Sequence, residues 1–306
     1  MNRELSVLLP VYECSCVTLV TALHEQCTLA GIDFEIIVAD DGSSTPATIA
    51  ANRQIEQLPN VRYIIRSENV GRAAIRNFLV SLAHFERVLF CDGDMELRKA
   101  GFINDYLSAD APIVYGGYSL EESPDHPTLH NLRYRYEVTH KLNHTPAERS
   151  KHPYHDFHTS NFLTRRQILI DHPFDERFQH YGYEDVLWGK TLQQHGIAIL
   201  HIDNPLCFCH FEDNEHFVGK TEEGLRTLYT FRDELKGFSS LLNIHTALSS
   251  THFPHFLRRL TRFSLLYAYK IAGKSIRKRL IHNKMPLFVF NIYRLLYFVH
   301  LDHSGR

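Results

Sequence analysis

The sequence predicts an α/β fold: a mostly parallel sheet flanked by helices, followed by a helical, basic C-terminal extension. Three observations carry this reading. Short apolar runs alternate with helical stretches through the first hundred residues, the pattern of successive βαβ units. Two of those runs end in acidic clusters, which in a doubly wound sheet face the crevice beyond the carboxyl ends of the strands. Charge is also split along the chain. Of 33 Lys/Arg and 35 Asp/Glu in the 306 residues, the stretch 252–306 holds eleven of the former and a single acid, Asp302. A near-neutral total therefore hides an acidic body and a basic tail.

The elements follow in order. Residues 5–11 form an apolar run suited to a buried strand, with a helical stretch to about 30. A second strand, 34–39, ends in Asp40-Asp41-Gly42-Ser43, and a helix is expected over 45–57 with Ser43 or Ser44 as its cap. A third strand at 61–65 precedes a helix at 71–83, and a fourth at 88–91 ends in Asp92-Gly93-Asp94. The middle of the chain is less regular. It offers short strands at 113–116, 161–164 and 197–202, helices at 184–195 and 219–236, and a polar His/Pro-rich stretch, 123–158, that matches no element. From Phe253 onward the pattern is helical, with Leu257, Leu260, Tyr267 and Ile271 on one side. Gly273 and Pro286 are expected to divide this tail into two or three helices.

Composition removes several classes. Hydrophobic content of 44% with 12 Pro and 15 Gly excludes a disordered or collagen-like chain. The six cysteines have neither zinc nor redox spacing, so a reducing, cytoplasmic setting is expected. Met1 to Glu4 run directly into a strand, so no signal peptide is expected. No window reaches 18 uninterrupted apolar residues; the closest, 285–301, contains Asn291, Arg294 and His300.

Four short segments carry chemistry. Asp92 and Asp94 are hard oxygen ligands just past a buried strand and suit Mg²⁺ or Mn²⁺ on a diphosphate, although D-G is also an ordinary turn dipeptide. Asp40 or Asp41 is placed to accept a hydrogen bond from a base or ribose. In the segment from Asn69 to Asn77, Gly71 opens a helix N-terminus and Arg72 and Arg76 share a face, a plausible phosphate clamp whose plain alternative is solvated arginines. Tyr181 to Trp188 sets the paired acids Glu184 and Asp185 at a helix start beside the chain's single Trp. Such a pair serves either as helix capping or as a general base with an aromatic sugar platform. His152, His155 and His158 at three-residue spacing invite a zinc reading, which Pro153 argues against.

Taken in order, Pro10-Val11-Tyr12, DDGS, N-x-G-x-x-x-x-R-N, D-x-D and G-Y-E-D-x-x-W resemble glycosyltransferase family 2, whose fold is the nucleotide-sugar-binding, Rossmann-like GT-A fold. The last segment, with a following His, also looks like the galactosyltransferase and polypeptide N-acetylgalactosaminyltransferase branch. The resemblance covers about residues 4–235. It implies a catalytic domain over 1–235, nucleotide-binding in 1–110 and acceptor-binding in 111–235, with 236–306 as the extension.

The resemblance further implies roles. Pro10, Val11 and Tyr12 would line the base, and Asp40 or Asp41 would bond uracil or ribose. Asn69, Gly71, Arg72, Arg76 and Asn77 would border the diphosphate or sugar. Asp92, Gly93 and Asp94 would form the metal and ribose corner, with His210 as a third ligand to Mn²⁺ or Mg²⁺. Asp185 would be the base, Glu184 would orient the acceptor, and Tyr183 and Trp188 would form its platform. The implied reaction is an inverting transfer from a nucleotide sugar, a UDP-sugar first, to a glycan or lipid-linked glycan.

Two other classes compete. A sugar-phosphate nucleotidyltransferase would show a Gly-rich loop after the first strand, where this chain has Pro10-Val11-Tyr12-Glu13. A catalytically inactive carbohydrate-binding relative would lack one of the paired acids. The tail, cations interleaved with aromatics, is expected to dock on an anionic membrane surface, making the protein peripheral on the cytoplasmic face. Nucleic acid is not expected as a partner, because nothing in the body supports it.

Overall fold

The computed structural model of the chain describes residues 4–120, 130–140, 144–248, 255–282 and 285–304. Phe253, Lys284 and Arg306 of the tail, and parts of the 123–158 stretch, lie outside the described residues, as do the side chains of Phe256, Leu257, Arg258 and Arg259.

Nine strands are present among the described residues: β1 (Glu4–Val11), β2 (Asp33–Asp40), β3 (Val61–Ile65), β4 (Arg87–Cys91), β5 (Ile113–Tyr115), β6 (Tyr118–Leu120), β7 (Asn161–Arg165), β8 (Ile199–His201) and β9 (Leu206–Phe208). Seven form one sheet in the order β3-β2-β1-β4-β7-β5-β8, and β6 pairs with β9. The first four strands of that order run parallel. Their interiors read as continuous apolar runs because both faces are covered; Leu5, Val7, Leu8 and Leu9 of β1 and Ile36, Ile37 and Val38 of β2 are fully buried. The expected parallel sheet is thus present with one difference, since β7 lies antiparallel to both β4 and β5. A five-residue run such as 161–165 carries no mark of direction.

The register matters for the site. Val11 pairs with Asp40, and Leu8 with Phe90. Beyond the ladder, the Asp41 N–H donates to Val11 O (2.8 Å) and the Gly93 N–H to Pro10 O (3.3 Å). The ends of β1, β2 and β4 are therefore stitched side by side. Gly93 has to be glycine here, since a Cβ would come within 2.6 Å of Val11 Cγ2.

The chain divides into two compact units. The first draws on residues 1–122, 140–179 and 184–210 and contains both sheets; the second draws on 123–139, 180–183 and 211–306. Compactness is not collinear with sequence, so a boundary at one point such as 235 cannot separate them. The helical core of the second unit gathers Leu132, Phe217, Val218, Leu280, Phe290 and Tyr293. Its helix Asn214–Thr230 starts five residues ahead of expectation because the Asp213 carboxylate caps it, accepting from the His216 N–H.

Gly273 does not divide the tail. One helix runs His255–Ile281 and a second Leu287–Ser304. A Cβ at Gly273 would sit 2.8 Å from the Tyr269 ring, and that ring in turn stacks on His300, centroids 4.5 Å apart. The glycine makes room for an aromatic rather than breaking the helix. Pro286 does fall just before the second helix.

Candidate active site

Three loops beyond β1, β2 and β4 and the start of the helix Glu184–Gln194 supply the candidate residues. At the end of β1, Val11 is buried while Tyr12 is 53% exposed and offers a ring for a base to stack on. Asp40 and Asp41 are both buried. Asp40 accepts from Tyr63 Oη through one oxygen and from the Ser43 N–H (2.8 Å) through the other. Asp41 accepts from the Val70 N–H (2.9 Å) and the Gly71 N–H (3.0 Å). Burial pushes the Asp41 carboxyl up, against the pull of those two N–H groups. Asp41 thus holds loop 69–71 against the end of β2, while Asp40 ties that end to β3 and to the turn at Ser43. Ser43 is no helix cap: its Oγ receives the Glu13 N–H (2.8 Å), and Thr45 stands at the cap position.

Gly71 has φ +88°, and a Cβ there would lie 2.8 Å from Gln179 O. From it the helix Arg72–Leu82 begins, and the two arginines expected to share a face have opposite fates. Arg72 is exposed. Arg76 is 1% exposed, with Nη2 at 2.7 Å from Asp92 Oδ1 and Nη1 at 3.4 Å from Glu184 Oε1. It is an internal counter-ion, not half of a solvent-facing clamp. Asn77 likewise departs from the expected role. Its amide donates to Phe174 O and Glu176 Oε1 (both 2.9 Å) and its oxygen accepts from the Phe174 N–H (3.0 Å), which ties down the 174–176 loop. Asn69 is exposed, and its Oδ1 accepts from the Gly71 N–H (3.1 Å).

The helix Glu184–Gln194 follows two residues in the left-handed region, Gly182 (φ +92°) and Tyr183 (φ +72°). A tyrosine held there is uncommon, and such strain clusters at functional loops. Glu184 turns inward to Arg76. Burial, then the neighbouring Asp185 charge, pushes its carboxyl up, opposed by Arg72 and Arg76. Asp185 differs. Burial works against its ionisation, but the His158 hydrogen bond and charge (Nδ1 to Oδ2, 3.1 Å) and the Val186 N–H (2.8 Å) outweigh it. The carboxyl is held below the usual carboxylate range. Two adjacent acids are thereby driven apart, the arrangement that separates a proton acceptor from a structural partner.

Trp188 is not a sugar platform. It is 2% exposed, packed on Phe174, Phe162 and Phe157 with centroids 4.9, 5.4 and 5.5 Å away, and its Nε1–H donates to His172 O (2.8 Å). One face of a helix start can serve the site while the next turn serves the core. Tyr183 is half-buried.

Asp92 and Asp94 flank Gly93 past the end of β4. Among the described residues no group of three His, Cys, Asp or Glu gathers at metal-binding distance. His210 is largely exposed, its Nε2 3.7 Å from Glu96 Oε1, and is not brought into a cluster with the two aspartates. The carboxylate pair alone still suits a hard divalent cation, which commonly takes one or two protein carboxylates and completes its shell with phosphate oxygens and water.

His158 was the residue sequence reasoning missed. Its spacing from His152 and His155 pointed to zinc, yet it belongs to Asp185. Behind it lies a second unanticipated group. Arg149, buried, donates through Nε to His201 Nδ1 (3.2 Å) and also to Ile202 O (2.8 Å) and to His144 O. Tyr118 Oη lies 2.6 Å from His144 Nε2. Burial and nearby positive charge hold both His144 and His201 down to about 4, so both are neutral near pH 7.

A mainly parallel sheet flanked by helices, with an exposed aromatic, paired acids and a basic helix start at its strand ends, is an architecture of the GT-A fold. The sequence profile of glycosyl transferase family 2 matches residues 6–172, more than half of the chain. The chain belongs to that family. Validoxylamine A glucosyltransferase of Streptomyces hygroscopicus subsp. limoneus is 28% identical over 225 residues, 64% of this chain and 49% of that protein. Chondroitin synthase of Pasteurella multocida is 25% identical over 244 residues, 68% of this chain and 25% of that one. The chain thus spans half or less of the length of these relatives. The mannosyltransferase of Pyrobaculum calidifontis, solved with GDP-Man and Mn²⁺, superposes with a TM-score of 0.56 at 13% identity, covering 98% of this chain and 86% of that one.

Proposed function

We propose that the chain transfers a sugar, with inversion, from a nucleotide sugar to a hydroxyl of a glycan or lipid-linked glycan in surface polysaccharide or oligosaccharide synthesis. UDP-sugars are the first donors to test. The observation that carries this reading is the Arg76 node. One buried guanidinium joins Asp92, on the strand-end side, to Glu184, and leaves Asp185 beside it as a carboxylate held by His158. The names of the matched relatives, a glucosyltransferase and a chondroitin synthase, point the same way.

In this reading Tyr12, Val11 and Pro10 receive the base, and Asp41 shapes the base and ribose side through the loop 69–71 that it holds. Arg72 and the N-terminus of its helix attract the diphosphate. Asp94, with Asp92 partly committed to Arg76, would be the firmer ligand to Mn²⁺ or Mg²⁺. Bound there, the cation would neutralise charge on the departing nucleoside diphosphate. Asp185 takes the proton of the acceptor hydroxyl as its oxygen bonds to the anomeric carbon and the bond to the diphosphate oxygen breaks. His158 keeps that carboxylate ionised and oriented, and Tyr183 borders the acceptor.

The test is a panel of UDP- and GDP-sugars with and without EDTA, read by nucleoside diphosphate release and by NMR of the product anomer. Release from one donor, lost in EDTA and in Asp94→Asn, with an inverted product, is expected. Consumption of a nucleoside triphosphate with pyrophosphate release would mean a nucleotidyltransferase instead. A retained anomeric configuration would exclude the single displacement.

A further inference from the structure

Three of the ten Phe and Tyr residues in the basic tail are accounted for by burial. Phe290, Tyr293 and Phe298 are buried, and Leu266, Leu280, Leu296 and Val299 with them. Several cations are also accounted for. Arg277 pairs with Glu222 (2.9 Å), and Arg262 with Asp302 (2.6 Å), the tail's one acid.

Much of what remains lies along one side of the helix His255–Ile281, with Phe288 and Ile292 exposed on the second helix. Leu260, Phe263, Tyr267 and Ile271 are 58–68% exposed, and their spacing keeps them on one face. The same face continues with Lys270, Lys274 and Lys278, all exposed, while Arg279, also exposed, lies about a quarter-turn to one side. Its far end opens a cleft lined by Ser275, Lys278, Arg279 and His282. The helix contains no acidic residue. From Leu260 to Lys278 the face is roughly 27 Å long.

We infer that this face is a docking surface for an anionic lipid bilayer, with the helix lying in the plane of the headgroups. Four apolar side chains in line would enter the boundary between headgroups and acyl chains, and the cations beyond them would meet lipid phosphates, one of them in the cleft. Charge decides the occupant. A second copy of the face would bring further cations and no acidic residue to balance them, and nucleic acid has no use for the aliphatic Leu260 and Ile271. No helix among the described residues is long and apolar enough to cross a membrane, so the binding inferred is peripheral.

The experiment is co-sedimentation of the full chain with phosphatidylglycerol/phosphatidylcholine vesicles and with phosphatidylcholine alone, at low salt and at about 1 M salt, where screening reaches within about 3 Å. Binding to the anionic vesicles only, weakened by salt, is expected. Each Lys→Gln at 270, 274 or 278 should weaken partitioning about fivefold. Phe263→Ser/Tyr267→Ser/Ile271→Ser should release the protein at low salt with an unchanged circular dichroism spectrum, because all three side chains are exposed. The inference is overturned if the chain stays in the supernatant with anionic vesicles, or if both variant sets bind as the parent does. A dimer that the triple serine variant converts to monomer, or an oligonucleotide complex lost in the Lys→Gln variants, in either case without vesicle binding, would overturn it as well.

Discussion

Two pairs of adjacent acids, Asp40-Asp41 and Glu184-Asp185, look alike in the sequence and are used in opposite ways. The first pair follows a buried strand, and each of its carboxylates bonds the chain itself: Asp40 to Tyr63 and Ser43, Asp41 to Val70 and Gly71. The second opens a helix, and its members part company. Glu184 faces a buried guanidinium, while Asp185 faces a half-exposed imidazole. Adjacency of acids therefore signals little by itself. What sets Asp185 apart from the other three carboxylates is its partner, a part-exposed and titratable imidazole rather than buried groups of the fold.

Removing the counter-ion of the second pair should have the largest effect. Arg76→Met leaves Asp92 and Glu184 facing each other without the cation between them, and should cost about 3–5 kcal/mol in a urea titration. Adding Glu184→Gln should restore part of that. If Arg76→Met costs no more than a surface substitution, the node is not what holds the two acids.

A smaller loss tests the first pair. Asp41→Asn turns an amide N–H₂ toward either the Val70 or the Gly71 N–H; because the Gly71 N–H also has Asn69 Oδ1, the cost should fall at the low end, about 1 kcal/mol. The effect should fall on stability and loop 69–71 before it falls on turnover. Loss of turnover at full stability would give Asp41 the chemical role and erase the contrast.

The last perturbation is graded by pH. His144 and His201 are held near 4 in the fold, whereas an unfolded histidine titrates near 6.5. Between those values the unfolded chain binds more protons, so stability is full above about 6.5 and drains as pH falls toward 4. Melting temperature should decline over that window, and His201→Gln should flatten the decline. A flat profile in the parent protein would show that the histidines behind His158 are not kept neutral.

Much of this was legible from residues alone. The strand ends at Val11, Asp40 and Cys91 follow from apolar runs that stop at polar clusters, and the order of the motifs identified the fold. Roles that depend on direction were not legible. Arg72 and Arg76 sit four residues apart and share a helix face in any pattern, but only the packing of that helix shows one outside and the other within. Trp188 next to paired acids reads as a platform until Phe157, Phe162 and Phe174 surround it. His158 reached Asp185 from 27 residues away, across a segment with no periodicity to place it.

The central claim is that Asp185 accepts the proton while its neighbours only hold and tune it. Asp185→Asn keeps size and hydrogen-bonding shape, so the decisive measurement compares single-turnover rate and nucleotide affinity in that variant and the parent, with His158→Asn alongside. The expected result is a rate about 10²–10⁴-fold lower in Asp185→Asn with nucleotide affinity unchanged. His158→Asn should stay active, with the acid limb of its pH–rate profile moved upward. Weakened nucleotide binding in Asp185→Asn, with turnover of bound substrate spared, would contradict the assignment.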